Sequence, residues 1–307
     1  MLMGGIFLQK RNLYATQNNP YYIYAPEYTR RSAGVKVLHY LCHSLNLIGE
    51  NAFVINDKTA GWLRTPVVTQ QIANHHLSIG LSPIVIYPEV VHGNPLSAKN
   101  VVRYLLNVPG LLGGPCDYED SDMIFAFAKA LLPSNASDEH VLLLPTIDVN
   151  IFNFDPKLFY PRDTVVYYFG HYTKANEEYP EMMKYLSANA IQITSEYPET
   201  HEELADLFRR SKLCVCFHSS TLVSEAILCG CPAYIVDTPY TKTWIGKDEL
   251  PFEGFCKGLD DESIRIAMNS IDEYVTSYHQ LENNFWKQLD NFVSITQKKS
   301  KNFPSNA

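Results

Sequence analysis

The segment Phe217-His-Ser-Ser-Thr-Leu-Val-Ser-Glu225-Ala-Ile-Leu-Cys-Gly230-Cys-Pro232 gathers the side chains best suited to hold a charged ligand. It reads as strand, hydroxyl-rich turn, helix, glycine stop and strand, which puts Ser219, Ser220 and Thr221 at a helix start. Free backbone N–H groups and the positive dipole end converge there, a combination that favours phosphate, and the hydroxyls add donors. Glu225 lies four residues beyond Thr221, one turn deeper on the same face, where a carboxylate can accept hydrogen bonds from ribose hydroxyls. The plainer alternative makes Ser219 a helix cap and Glu225 a solvated charge.

Proton-transfer groups cluster elsewhere. Pro83-Ile-Val-Ile-Tyr-Pro-Glu89 reads as a strand that ends in a carboxylate, and Val-Val-His92-Gly-Asn94-Pro follows it. Glu89 and His92 are therefore candidate general bases at a strand end, with a loop salt bridge and a plain turn position as their respective alternatives. His75 and His76 are adjacent, so on a helix they diverge by about 100° and share no metal face. The seven cysteines are an odd number without C-x-x-C spacing; Cys214 and Cys216 would share one strand face as small hydrophobes. No metal site is expected.

The elements that must position these groups alternate. Strands are expected over 21–26, 51–55, 83–87, 123–128 and 141–144, with helices opening near Gly34 and over 98–107. Leu38, Leu41, Cys42, Leu45 and Ile48 mark one apolar face of the first helix. Asn94 would cap the second helix, and Arg103 would stand on a cleft rim. Beyond Pro145 the period breaks, and the rhythm resumes with strands 164–169, 190–194, 212–217 and 233–236 between helices 181–186, 201–210 and 222–229. A long helix then carries Ile271, Tyr274, Tyr278, Leu281, Phe285, Leu289 and Phe292 on one face. The class is α/β with parallel sheets, and ligands in such sheets lie at the carboxyl ends of the strands.

Three segments together carry a resemblance. Glu225-Ala-Ile-Leu-Cys-Gly-Cys-Pro-Ala-Tyr-Ile resembles the E-A-x-x-x-G-x-P-V signature of GT-B-fold glycosyltransferases, and Ile147-Asp148-x-x-x-Phe152-x-x-Asp-Pro156 resembles their interdomain G-V-D-x-x-x-F-x-P. Ser32-Ala-Gly34-Val is similar to their first strand–helix loop, and the three occur in family order. The resemblance implies two Rossmann-like domains facing a cleft, over 1–157 and 158–283, with a terminal helix over 284–307 returning to the first. It also implies a nucleotide-sugar donor held mainly by the second domain, with Glu225 on the ribose and the turn from His218 to Thr221 on the diphosphate. Gly34 and Gly170 would lie beside that donor.

Two departures stand out. Many retaining members carry a Glu eight positions before the ribose Glu, and Phe217 occupies that place. Their Arg/Lys pair after the first strand of the second domain is replaced by Gly170-His171-Tyr-Thr-Lys174, which leaves Lys174 as the candidate cation. The expected activity is transfer of a sugar from a nucleoside-diphosphate sugar to a hydroxyl of a glycan or glycolipid, in surface polysaccharide or lipopolysaccharide-type biosynthesis. It would use no metal or other cofactor, with Glu89 or His92 facing the acceptor. An epimerase of the same architecture and a catalytically silent carbohydrate- or nucleotide-binding protein are the alternatives. A metal-dependent transferase of the other common fold rests only on Asp120-Ser-Asp122, where the apolar run follows the motif instead of preceding it.

Composition bounds these readings. The 307 residues are twice a common domain, and 46% hydrophobic content supports full cores. Twenty-five Lys and Arg against 33 Asp and Glu give −8, which argues against a sequence-independent nucleic-acid binder. No apolar run reaches the ~18–20 residues of a membrane span, and the first residues do not form a secretory signal. The expectation is a cytoplasmic protein, with Lys298-Lys299-Ser300-Lys301 as the one segment that could touch the inner membrane face. Neither a P-loop nor a G-x-G-x-x-G is present.

Overall fold

The computed structural model describes residues 17–155 and 161–301. The boundary expected near residue 157, and Pro156 of the interdomain motif, lie outside the described residues. The first half builds a five-stranded sheet from β1 (Tyr21–Ile23), β2 (Ala52–Val54), β3 (Ile84–Pro88), β4 (Asn100–Leu105) and β5 (Met123–Ala126), in the order β2-β1-β3-β4-β5. Every pairing is parallel. Such a sheet is covered on both faces, which explains why its strands read as continuous apolar runs. Tyr21, Ile23, Ile84 and Ile86 enter one core, with α1 (Ala33–Leu47) packed over it. Tyr22, Val85 and Tyr87 enter the opposite one. On that side His76 of α2 (Gln70–Ser78) bonds the Tyr22 hydroxyl at 2.7 Å, the part of an ordinary core polar group.

The second half repeats the plan. β6 (Thr164–Tyr168), β7 (Ala190–Gln192), β8 (Ser211–Cys216) and β9 (Ala233–Ile235) form a parallel sheet in the order β7-β6-β8-β9. The helices are α3 (Ala175–Glu178), α4 (Pro180–Asn189), α5 (His201–Arg209), α6 (Thr221–Leu228) and α7 (Asp261–Asn269). Cys214 and Cys216 face the same way, Sγ to Sγ 3.6 Å, within the core under α6. Leu213, Val215 and Phe217 fill the other face. Both sheets thus reverse strand order at the same point, between β1 and β3 and between β6 and β8, and these two switch points are where the loops splay apart to admit ligands. The molecule is α/β, two Rossmann-like units facing a cleft and followed by a long helix.

Residues 98–107 form no helix. Asn100-Val-Val-Arg-Tyr-Leu105 is β4, buried along its whole length, as its β-branched and aromatic residues favour. Arg103, 2% exposed, is no rim residue: it pairs with Asp122 at 2.7 Å, donates to the Val91 and Gly93 carbonyls and lies between the Tyr87 and Tyr118 rings. That pairing commits Asp122, the second carboxylate of the Asp120-Ser-Asp122 motif, to a cation of the chain itself. Asn94 caps no helix either; its Oδ1 accepts from the Ala98 N–H and the Tyr87 hydroxyl and closes the turn before β4. In the stretch 141–144 only Val141 bridges, to Ala126, and the rest runs extended between the halves. Its period of two feeds both cores, Leu142 and Leu144 into the first and Val141 and Leu143 into the second.

The segment leading into the second half is pinned by the residues the sequence singled out. The Asp148 carboxylate accepts from the Asn150 N–H, and Phe152, 1% exposed, anchors in the second core. Arg209 donates to the Ile151 and Asn153 carbonyls. Finally α8 (Ile271–Lys301), 31 residues and about 46 Å long, spans both halves. Its Ile271, Tyr274, Tyr278 and Leu281 belong to the second core and its Phe285, Leu289 and Phe292 to the first. Near its end, Gln297 exchanges two hydrogen bonds with the backbone of Asn19, and Thr296 meets the Tyr21 hydroxyl. Lys299 and Lys301 of the terminal basic cluster bond back to Ser121 and Asn18. No helix among the described residues is long and apolar enough to cross a membrane.

Candidate functional site

A cleft of about 900 Å³ lies between the two sheets, within the usual range for a small-molecule site. Its walls come from the four loops at the switch points: Arg31 to Val35 after β1, Glu89 and Val90 after β3, Gly170 to Thr173 after β6, and His218 to Thr221 after β8. A loop of the second half closes one side with Trp244, Ile245 and Leu250. Ile245 packs on the Leu105, Ala126 and Leu131 cluster of the first half, and a Glu249 carboxylate oxygen accepts the Lys129 N–H at 2.6 Å.

On the second-half wall, α6 begins at the cleft. Its cap is Ser220, whose Oγ accepts from the Leu222 N–H at 3.3 Å, while the Ser219 N–H donates to the Tyr240 carbonyl at 3.2 Å. The alternative with Ser219 as the cap is thereby corrected by one residue. His218 is 9% exposed, and among the described residues neither ring nitrogen has a partner in good hydrogen-bond geometry, the Ser219 backbone making only a weak approach. The ring stacks on Tyr240 and meets His171 edge to face, centroids 5.2 and 5.3 Å away. Burial, and next the neighbouring His171, hold its pKa below the usual histidine value. A neutral imidazole has one donor and one acceptor nitrogen, and a buried pair without partners is costly unless a ligand supplies them.

Gly170 explains why that ring can sit there. It adopts φ +60°, and a Cβ at this position would lie 2.6 Å from the Cβ and Cγ of His218. Only glycine both takes the left-handed conformation without penalty and leaves the space.

On the opposite wall, Glu89 is 4% exposed and still lines the cleft. One carboxylate oxygen accepts from the Leu106 N–H at 3.0 Å. Burial pushes the carboxyl above its usual pKa, with the Leu106 N–H the first of the backbone bonds that draw it back. The loop 108–114 presses on this residue: a Cβ on Gly114 would meet the Glu89 carbonyl oxygen at 2.3 Å. Beside it the N-terminus of α1 opens on the cleft, capped by Ser32, whose Oγ accepts from Val35 N–H at 3.4 Å. Gly34 lines the same edge and has room for a Cβ, 3.5 Å from the Leu106 Cδ1.

The structure therefore brings together Glu89, Gly34, Gly170, His218, Ser219, Ser220 and Thr221, and places three other candidates elsewhere. His92 is exposed, and its Nε2 meets the Gly113 carbonyl at 3.1 Å, outside the cleft lining; the turn between β3 and β4 carries it away from the strand end. Lys174 is also exposed and outside the lining, at the N-cap of the four-residue α3. Glu225 is buried behind the wall, not solvated and not in the lining; it faces Lys36 of α1, Nζ to Oε1 3.7 Å. Burial pushes its carboxyl up in pKa while Lys36 draws it down.

Sequence reasoning missed Arg31, the single Lys or Arg among the described residues lining the cleft. Its signal was present, since Arg30 and Arg31 stand just before the Ser32 cap. Lys36 and Tyr240 gave none, because the partners that define them come from distant chain segments. No group of three or more His, Cys, Asp or Glu among the described residues is placed to share a metal ion.

No family model and no curated protein matches the chain. Solved structures align along nearly its whole length at low identity. The putative UDP-N-acetylglucosamine 2-epimerase from Listeria monocytogenes is 11% identical over 91% of each chain, TM-score 0.43. The glycotransferase of kitacinnamycin is 9% identical over 93% of this chain and 100% of its own, TM-score 0.46. The glycosyltransferase SnogD from Streptomyces nogalater is 10% identical over 93% and 99%, TM-score 0.44.

Proposed function

We propose that the chain transfers a sugar from a nucleoside-diphosphate sugar to a hydroxyl of a glycan or glycolipid, with the reaction centre between Glu89 and the N-terminus of α6. One observation carries this reading: His218 lines the cleft, its two buried ring nitrogens without a well-formed hydrogen bond among the described residues, at a helix start furnished with three hydroxyl residues, Ser219, Ser220 and Thr221. That arrangement suits a polar, anionic ligand, and the buried carboxylate on the other wall suits an acceptor proton. Val90 and Leu112, 39% and 40% exposed on the Glu89 wall, suit the apolar part of a glycolipid.

In this scheme Glu89 takes the proton of the acceptor hydroxyl as its oxygen attacks the anomeric carbon, and the bond from that carbon to the diphosphate oxygen breaks. Negative charge gathers on the departing diphosphate. The α6 N–H groups, the hydroxyls, the donor nitrogen of His218 and the Arg31 guanidinium meet it. Attack from the Glu89 side inverts the anomeric centre. Phe217, fully buried at the position of the retaining family's carboxylate, leaves no second carboxylate there. A pKa raised by burial brings Glu89 closer to the working pH of a general base.

Calorimetric titration of UDP and GDP, with transfer assays on the corresponding nucleotide sugars, tests the reading. One of the two nucleotides should bind; Glu89→Gln should keep that affinity and lose at least about 100-fold in transfer, the usual range for a general base. His218→Ala should weaken binding about tenfold, the loss of one charge-assisted hydrogen bond. No binding of either nucleotide at millimolar concentration overturns the proposal, and binding with donor turnover but no acceptor favours the epimerase.

A further inference from the structure

Lys36 stands in the second turn of α1 and is 5% exposed, a place where lysine is rarely found without a partner. That partner belongs to the other domain. Its Nζ lies 3.7 Å from the Glu225 carboxylate of α6, and the two side chains are 6% and 7% exposed. His201 at the start of α5 feels the same ammonium: its pKa is held down by burial first and by Lys36 next. One lysine of the first domain therefore pairs with a helix of the second and acts electrostatically on another. The helices it joins, α1 and α6, both open their N-termini on the cleft, and the contact lies about one turn behind each opening.

We infer that Lys36 is a positioning residue of the donor site: by pairing with Glu225 across the domain boundary, it fixes the separation and register of the α1 and α6 N-termini, so that one ligand meets both. The identity of that ligand rests on the transferase reading; the pairing does not. A buried ion pair adds little net stability over an apolar contact of the same size, but it is intolerant of sliding, because a shift of either helix strands two charges out of water. Such a contact sets register more than it adds cohesion. A second tie across the cleft, through Ile245 and Glu249, lies on its Trp244 side, and α8 joins the two cores away from both helix starts.

The experiment measures geometry and affinity separately. Spin labels at Leu47→Cys on α1 and Tyr185→Cys on α4, both exposed, in a Cys116→Ser background report the distance between the domains. Lys36→Met should broaden and lengthen that distance distribution. It should also weaken binding of UDP or GDP, whichever the unsubstituted protein binds, by about tenfold, the size of a typical coupling between contacting groups. Lys36→Arg, which keeps the charge, should restore the narrow distribution and come within about threefold in affinity. A narrow distribution in Lys36→Met, or a broad one with unchanged affinity, overturns the proposal, the second because the pair would then serve only cohesion. If Lys36→Met fails to fold, Lys36→Met with Glu225→Gln leaves no lone buried charge, and an unaltered distance in it overturns the proposal equally. If the unsubstituted protein binds neither nucleotide, the transferase reading fails, and the distance measurement alone decides the role of Lys36.

Discussion

Glu89 and Glu225 hold comparable places in the two halves, each buried near the cleft side of its sheet and each with its carboxyl pushed up in pKa by burial. They differ in what answers the charge. Glu225 is met by an ammonium from the opposite domain, whereas Glu89 is held by backbone N–H groups and lines the cleft. A buried carboxylate met by a cation serves the scaffold, whereas one at a cavity wall held by backbone N–H groups is a candidate for work on a ligand. The comparison separates the carboxylate that holds the domains from the one that can act on a ligand, a distinction their sequence contexts did not make.

The sharpest way to break it is Glu225→Gln, which leaves Lys36 buried and unpaired. Denaturant unfolding should show a loss of about 3–5 kcal/mol, and a loss near zero would mean that the pair is solvated and the contrast false. Next comes Gly170→Ala. The left-handed backbone alone costs about 1 kcal/mol for a residue with a Cβ, and the clash with His218 adds to it. Melting should fall by several degrees and nucleotide binding should fall with it; retained binding would show that the His218 ring is free to move aside.

The smallest effect has the opposite sign. Because the folded-state pKa of Glu89 is raised above 4.5, the folded protein binds more protons than the unfolded chain between those two values. Stability therefore declines as pH rises through that window, and the loss is complete above the folded-state pKa. Glu89→Gln escapes it, so the variant should melt higher than the parent at pH 7, and the difference should vanish below pH 4.5. A variant less stable at pH 7 would place Glu89 with Glu225 as a structural charge.

Much of the fold was legible because α/β packing leaves local marks. The apolar stripe from Leu38 to Leu45, the strand ending at Glu89 and the stripe on α8 are periodic, and a parallel sheet covered on both faces makes apolar runs of its strands. Strand β4 was misread because Arg103 interrupts its run, and nothing nearby announces that Asp122 and two carbonyls will satisfy it. The donor wall was legible for the same local reason: strand end, hydroxyls and helix start are consecutive. Lys36, Tyr240 and the buried ring of His218 were not, since each is defined by what folding brings beside it. The placement of His92 and Lys174 failed by a turn's geometry, as spacing says how near a residue is to a strand end and not which way its loop leaves it.

The helix α8 has a consequence for the order in which the molecule is made. Phe285, Leu289 and Phe292 complete the core of the first half, and Gln297 ties down the backbone of Asn19 just before the first strand. A ribosome adding about 5–20 residues per second therefore releases the first sheet long before the chain that closes it. Until α8 arrives that core is closed only in part, by α1, and the half translated first is completed after the second.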